Sequence, residues 1–413
     1  MTKDNAQPVS SRPTVRPRHE TVNTSGTSVT TRLFSLPPLS LYVHVPWCVR
    51  KCPYCDFNSH QLSGDIPEQA YLEALQADLE QALPLVWGRQ IVSIFIGGGT
   101  PSLLSEKTVD AMLGMFRAYL NIWPETEITL EANPGTAEKS RFMGYAASGV
   151  TRLSLGIQSF NDQALKALGR IHDAQQARTA IEAGMQAFPH VNLDIMYALP
   201  RQTIEQCRAD ITEATSYGTD HLSLYHLTLE PNTVFAKYPP ALPTDESAAA
   251  MHELVASTAQ RAGFDQYEVS AFARGNNRAI HNVNYWEFGD YLGIGPGAHG
   301  KLSFPDKVIR QARLRGPDSW MAACRKLDGT HIANEHRIDA NDFPFEFMLN
   351  ALRLRDGVPA SFYFERTGQP FSSIAKTLQR CREKGLMVND ATRFKATDLG
   401  WRFLNDLQAE FLP

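Results

Sequence analysis

Apolar residues recur with two different periods along this chain. The run Leu41-Tyr42-Val43-His44-Val45 alternates large, β-favouring side chains and predicts a buried strand. Leu72, Leu75, Leu79 and Leu83 then return every three or four positions, which predicts a helix over 67–86. The alternation continues as strand 91–96, helix 105–120, strand 127–131, helix 138–147 and strand 152–157. A helical stretch over 161–187, broken near His172, leads to strand 191–196, helix 203–216 and strand 221–227. Strands separated by helices in this way demand parallel pairing with right-handed crossovers. Six strands rather than eight predict an α/β fold built as an open, partial barrel.

Residues 229–275 read as an extension of that barrel, with a helix near 245–262 and a strand-like Tyr267-Glu268-Val269-Ser270-Ala271-Phe272. The rhythm stops near 300. Asp342 to Leu354 and 372–384 predict helices, Gly385 to Phe394 a hairpin, and Leu399 to Phe411 a final helix. Helix, hairpin, helix predicts a small winged-helix-like domain over 336–413, so 37–275 is the barrel and 276–335 a connecting segment. Residues 1–36 are rich in Ser, Thr and Pro and nearly lack large apolar side chains, which predicts a disordered tail. Its arginines (Arg12, Arg16, Arg18, Arg32) suggest a transit peptide, but Asp4, Glu20 and the prolines spoil an amphipathic helix.

Composition narrows the class. With 413 residues, 43% apolar and 20% charged, the chain can bury a sizeable core and looks like an ordinary soluble protein. A net charge of −4 gives no field for nucleic acid, and residues 341–413 carry 10 Lys/Arg against 9 Asp/Glu, too even for a phosphate-gripping face. No apolar run approaches the roughly 18 residues of a spanning helix. Cys207, Cys324 and Cys381 stand alone on helical stretches and read as core thiols.

The other three cysteines carry the chemistry. Cys48, Cys52 and Cys55 crowd into one polar, proline-interrupted loop directly after the first strand, where α/β folds keep their sites. They admit three readings: packed core thiols, a zinc site completed by His44 or His60, or an iron–sulfur cluster. A four-iron cluster held by three cysteines leaves one iron open, since position 57 is Phe57. Polar residues also mark the ends of the later strands: Gly97-Gly98-Gly99-Thr100, Glu131-Ala132-Asn133, Gln158-Ser159, Arg170 and Asp194. The glycine turn is no P-loop, as no Gly-Lys-Ser/Thr follows it. Farther along, His281-Asn282-Val283-Asn284-Tyr285-Trp286 sets a histidine beside two large aromatics, ahead of the glycine-rich Gly293 to Gly300. Read bare, such a cluster more often packs a core than holds a porphyrin.

C-x3-C-x2-C on the loop after the first strand resembles the signature of radical S-adenosylmethionine (SAM) proteins. The wording around it, Leu41 to Cys48 and Cys55 to His60, is similar to the oxygen-independent coproporphyrinogen III oxidase family and within it to the heme chaperone branch. That resemblance covers about residues 37–410 and implies a radical SAM barrel with a [4Fe-4S] cluster on Cys48, Cys52 and Cys55, whose open iron binds SAM for reductive cleavage. It implies SAM contacts from Tyr42, Tyr54, Gly98, Gly99, Thr100, Glu131, Gln158, Arg170 and Asp194. It also implies heme handling by His281, Asn282, Tyr285 and Trp286, with His299 a competing iron ligand. The oxidase itself is the alternative function, by oxidative decarboxylation of propionates. Phe57 in place of a fourth cysteine, the His281–Trp286 motif and the lack of a longer folded N-terminal region favour the chaperone. The expected partners are heme, a heme-acceptor protein of respiratory, membrane-bound type, and a flavodoxin or ferredoxin as electron donor. Nucleic acid is not among them. The expected location is cytoplasmic, with a peripheral membrane position as the second option. Intact SAM positions in a carrier further suggest that SAM cleavage, or SAM occupancy of the open iron, gates heme transfer or attaches heme covalently.

Overall fold

The computed structural model describes residues 32–135 and 139–413. The predicted disordered tail lies outside the described residues as far as position 31. Of its last few residues, Leu33 is buried and its amide donates to the Pro305 carbonyl at 2.9 Å.

A single 12-stranded sheet organises the chain. Its first six strands are β1 (Leu39–Val45), β2 (Gln90–Gly98), β3 (Asn121–Ala132), β4 (Arg152–Gln158), β5 (His190–Tyr197) and β6 (His221–His226). The rest are β7 (Asp265–Gln266), β8 (Ala271–Ala273), β9 (Asp290–Ile294), β10 (His299–Ser303), β11 (Val308–Arg313) and β12 (Ile332–Arg337). Their spatial order is β12-β11-β10-β9-β1-β2-β3-β4-β5-β6-β8-β7. Strands β1 to β6 are parallel neighbours, as the sequence predicts, and the sheet stays open rather than closing on itself.

The reason is visible in each strand. Leu41, Val43 and Val45 alternate with Ser40, Tyr42 and His44, and Ile94 and Ile96 with Ser93, Phe95 and Gly97. The aliphatic set packs against the crossover helices in one continuous core, each fully buried Leu, Ile or Val contributing about 1.5–3 kcal/mol. The polar set shares the other face and satisfies itself there, through pairs such as Ser40–Ser93 at 2.8 Å. Helix starts are fixed locally: Asp173 and Thr203 each form a capping box with the glutamine three residues on. The expected break near His172 is real, between helices Asp162–Ala167 and Ala174–Ala187.

Three regions differ from the sequence reading. The segment 276–335, expected as a connector, supplies β9, β10, β11 and the first part of β12 to the sheet, and β9 pairs parallel with β1. Its rhythm is hidden because buried polar residues occupy it. Arg313 pairs with the fully buried Asp78 at 3.0 Å, while His331, Trp320 Nε1 and the Gly295 amide also reach that carboxylate. Of the strand-like run 267–272, only Ala271 and Phe272 belong to a strand, β8, while 267–270 form the turn that joins it to β7. At the C-terminus the expected hairpin reduces to one bridge, Met387 to Ala396, and Arg393–Phe394 pairs instead with Val358–Pro359. The last helix breaks at Phe403 into Asp398–Arg402 and Leu404–Ala409. This mostly helical region has its own core around Phe343, Phe347, Tyr363 and Phe394. Cys207, Cys324 and Cys381 are fully buried.

Candidate functional site

Pro46 ends β1 and starts the cysteine loop. Backbone bonds then pin it on both sides: His60 N to Pro46 O at 2.7 Å, Leu62 N to Cys48 O at 2.9 Å, and Thr100 N to Trp47 O at 2.7 Å. The loop therefore lies against the Gly97–Thr100 turn that ends β2. Each thiol has a donor beside it. Thr100 Oγ1 is 3.5 Å from Cys48 Sγ, Arg170 Nη1 is 3.8 Å from Cys52 Sγ, and Ser59 Oγ is 3.7 Å from Cys55 Sγ. Burial raises the pKa of Cys48 and Cys55, so bare thiols here stay protonated and uncharged.

The histidines suggested for a zinc site are committed elsewhere. His44 uses both ring nitrogens, Nε2 to the Asn58 carbonyl and Nδ1 to the Tyr42 hydroxyl, each at 2.8 Å. His60 Nε2 engages the Arg315 carbonyl at 3.1 Å. Three thiols with nearby O–H and N–H donors suit an iron–sulfur cluster, whose sulfurs are tuned by such hydrogen bonds. Phe57 is 61% exposed and contributes no ligand.

The glycine turn is a close-approach device. A Cβ on Gly99 would sit 2.5 Å from the Trp47 carbonyl oxygen, and one on Gly98, whose φ is +113°, 2.6 Å from the His44 ring. Beside it, Glu131 accepts the Gly98 amide at 3.1 Å. Burial, reinforced by the nearby Asp194, pushes the Glu131 carboxyl up to about 8. Burial likewise pushes Asp194 up to about 6, although Asn192, Ser223 and Ser154 hydrogen-bond it. Two carboxyls raised together at one barrel mouth favour a cationic guest, and SAM carries both a sulfonium and an ammonium. The residues present fit that group.

Gln158 holds a left-handed φ of +69° at the end of β4, a strain that non-glycine residues keep mainly at functional positions. Arg170 bonds Asn133 Oδ1 at 2.5 Å and the Gly156 carbonyl at 2.7 Å, and its buried Nε has no partner among the described residues. Tyr54 packs on Phe235 with ring centroids 6.4 Å apart. Tyr42 alone of the SAM candidates sits deeper along its strand, stacked on Phe95 at 5.9 Å.

The His281–Trp286 stretch forms a short helix, Ile280–Trp286. Its residues diverge. His281 is buried, stacked on Phe95 at 4.4 Å, with Nδ1 3.4 Å from Glu127 Oε1. Asn282 Nδ2 lies 3.3 Å from the Tyr267 hydroxyl. Tyr285 and Trp286 instead line a cavity of about 270 Å³, whose other walls include Tyr42, Phe95, Tyr291, His299 and Arg310. Burial, with help from Arg310 and Arg315, lowers the His299 pKa. Sequence reasoning missed Phe95, Tyr291, Arg310 and the loop residues Asn58 and Ser59. Period-two alternation places Phe95 on the Tyr42 face and could have flagged it; nothing local signals Arg310.

Comparison with known proteins agrees with this geometry. Residues 42–214 match the model for the radical SAM superfamily, and 338–403 that for the HemN C-terminal domain. The structure resembles coproporphyrinogen III oxidase (HemN) from Escherichia coli with a TM-score of 0.78 at 21% identity, over 91% of this chain and 90% of that one, a likeness of fold. Fold and cysteine loop thus define a radical SAM protein, a class that implies a [4Fe-4S] cluster and SAM. The chain is 43% identical to heme chaperone HemW of Escherichia coli K12 over 92% of its own length and 100% of the relative's. It is 40% identical to mouse radical S-adenosyl methionine domain-containing protein 1, mitochondrial, over 91% and 87%. The chain belongs to the HemW branch of the HemN family. Among the described residues no helix is long and apolar enough to cross a membrane.

Proposed function

We propose that this protein is a heme chaperone that binds heme beside a SAM-liganded iron–sulfur cluster and passes it to an acceptor protein. The observation that carries the reading is the cavity. Tyr285 and Trp286 present aromatic surface to it, and Tyr42, on the strand that feeds the cysteine loop, forms part of the same wall. At about 270 Å³ it lies at the small end of ligand cavities, so a macrocycle would be gripped by one edge and left accessible for release. The relatives named heme chaperones support the same reading.

In this proposal Cys48, Cys52 and Cys55 hold the [4Fe-4S] cluster, which supplies one-electron chemistry when bound. Thr100, Arg170 and Ser59 hydrogen-bond its thiolates. The Gly98–Gly99 backbone admits the polar end of SAM, Glu131 and Asp194 balance its positive charge, and Tyr42, Tyr54, Gln158 and Arg170 complete that pocket. His281, Asn282, Tyr285 and Trp286 shape the heme side. A flavodoxin or ferredoxin supplies electrons, and the acceptor is a membrane-associated respiratory protein met from the cytoplasmic side.

Anaerobic reconstitution followed by two assays tests this. Heme binding by absorbance and heme transfer to an apo-acceptor should be present, and conversion of coproporphyrinogen III absent. Robust decarboxylation would establish the oxidase instead. Cys48→Ala should keep heme binding but lose transfer, because SAM occupancy of the open iron gates release; unchanged transfer would remove the gating step.

A further inference from the structure

Resting on the heme reading, we propose that His299 on β10 ligates heme iron in the aromatic cavity, while His281 is a positioning residue that braces its wall. The register of the sheet builds this site. Tyr291 on β9, Lys301 on β10 and Arg310 on β11 face one another across three strands, and His299 lies two residues before Lys301 on the same face. Gly293 is the β9 neighbour of Tyr42, which in turn neighbours Phe95. A Cβ on Gly293 would fall 2.0 Å from the His299 carbonyl oxygen, so the missing side chain lets β10 close on β9 at this point.

The two histidines have different freedom. An iron ligand needs a neutral imidazole with a lone pair directed into the cavity. His299 lines the cavity, and among the described residues no hydrogen bond engages its ring. His281 does not line it. One face of its ring is covered by Phe95, and Nδ1 faces a carboxylate that also holds Arg152 Nε at 2.9 Å and the Ile280 amide at 2.8 Å. Turning His281 onto an iron would break that brace beneath the helix carrying Tyr285 and Trp286. Lys301 cannot serve as the cation for a ligand in the cavity either, since Asp290 Oδ1 at 2.8 Å and the Phe288 carbonyl at 3.2 Å already hold its ammonium.

Titrating the full chain with hemin and with metal-free protoporphyrin IX separates ligation from shape. His299→Ala should weaken hemin about tenfold or more, shift the Soret band, and leave protoporphyrin affinity within about twofold. Added imidazole should restore the wild-type band to His299→Gly. His281→Ala should weaken both porphyrins alike and keep the ligated band. If circular dichroism shows that variant unfolded, Glu127→Gln loosens the same brace and serves in its place. Wild-type hemin affinity and spectrum in His299→Ala would overturn the assignment, as would equal loss of both porphyrins there. Failure of the wild-type chain to bind either porphyrin would instead defeat the heme reading, and this assignment with it.

Discussion

Replacing Glu131 by glutamine should stabilise the SAM-free protein, and increasingly so as pH rises. The folded chain holds this carboxyl at about 8 against an ordinary 4.5, through burial and then the field of Asp194. Below pH 4.5 the group is protonated in both folded and unfolded chains and contributes no difference. Between 4.5 and 8 the unfolded chain ionises while the folded one resists, so stability falls as pH rises; above 8 the whole penalty is present. Moving a carboxyl from 4.5 to about 8 corresponds to roughly 5 kcal/mol against the charged form, which partial access of water brings to about 2–3 kcal/mol. The glutamine amide would keep an oxygen for the Gly98 N–H and remove the charge. Urea unfolding of wild type and Glu131→Gln at pH 5, 6.5 and 8 should show a gap that is small at pH 5 and widens towards pH 8. Saturating SAM should raise wild-type stability more than that of the variant, because only the wild type offers its cation an anion. A gap independent of pH, or largest at pH 5, would refute the electrostatic account of this carboxyl.

Thr100→Val removes the hydroxyl beside Cys48 Sγ, and the midpoint potential of the reconstituted cluster should move negative in an electron paramagnetic resonance titration. Gly99→Ala drives a Cβ to 2.5 Å from the Trp47 carbonyl oxygen and 2.8 Å from the Pro46 carbonyl carbon; iron per chain should fall sharply while far-UV circular dichroism stays near wild type. Asp78→Ala leaves Arg313, His331 and Trp320 Nε1 buried around nothing, and should cost about 3–5 kcal/mol in chemical unfolding. Phe347→Ala opens a hole against Phe288, Tyr363 and Phe394, for about 3–5 kcal/mol, without changing iron content.

The parallel half of the sheet was legible because its strands obey one rule. Aliphatic residues face the helices and alternate with residues facing the opposite side, so β1 to β6 appear as short periodic runs. Strands β10 and β11 break that rule. Lys301, Ser303, Gln311 and Arg313 are buried, and each is satisfied by a partner distant in sequence such as Asp290 or Asp78. A local pattern cannot reveal a partner that the fold brings from elsewhere. The same limit applies to the residues proposed for the heme side. The sequence shows that His281, Tyr285 and Trp286 are neighbours, but not that His281, in edge contact with Tyr285 at 6.2 Å, stays behind the wall that Tyr285 and Trp286 form. Only the sheet register shows that His299 returns to the cavity that Tyr285 and Trp286 line. At the other end of the chain, Phe403 sits within a smooth helical pattern, yet its backbone (φ −110°, ψ 43°) ends one helix and starts another.

His44 shows how one residue ties these features together. A carbonyl can only accept, so the bond to Asn58 O fixes the proton on Nε2 and leaves Nδ1 to accept from the Tyr42 hydroxyl. Burial lowers its pKa to about 4, which keeps the imidazole neutral over the whole range in which the protein would work. Asn58 in turn spans to the Pro296 and Arg315 carbonyls, both at 2.9 Å, and the His44 ring fills the space that a Gly98 side chain would need. The cysteine loop, the glycine turn and the Tyr42 wall of the aromatic cavity are therefore held at fixed spacing by one uncharged ring on β1. The two sites proposed above share that strand, so they can influence each other through a small shift of it, with no rearrangement of domains. That shared strand is the physical basis of the proposed gating, in which SAM at the strand ends governs a guest against Tyr42, two residues deeper than His44.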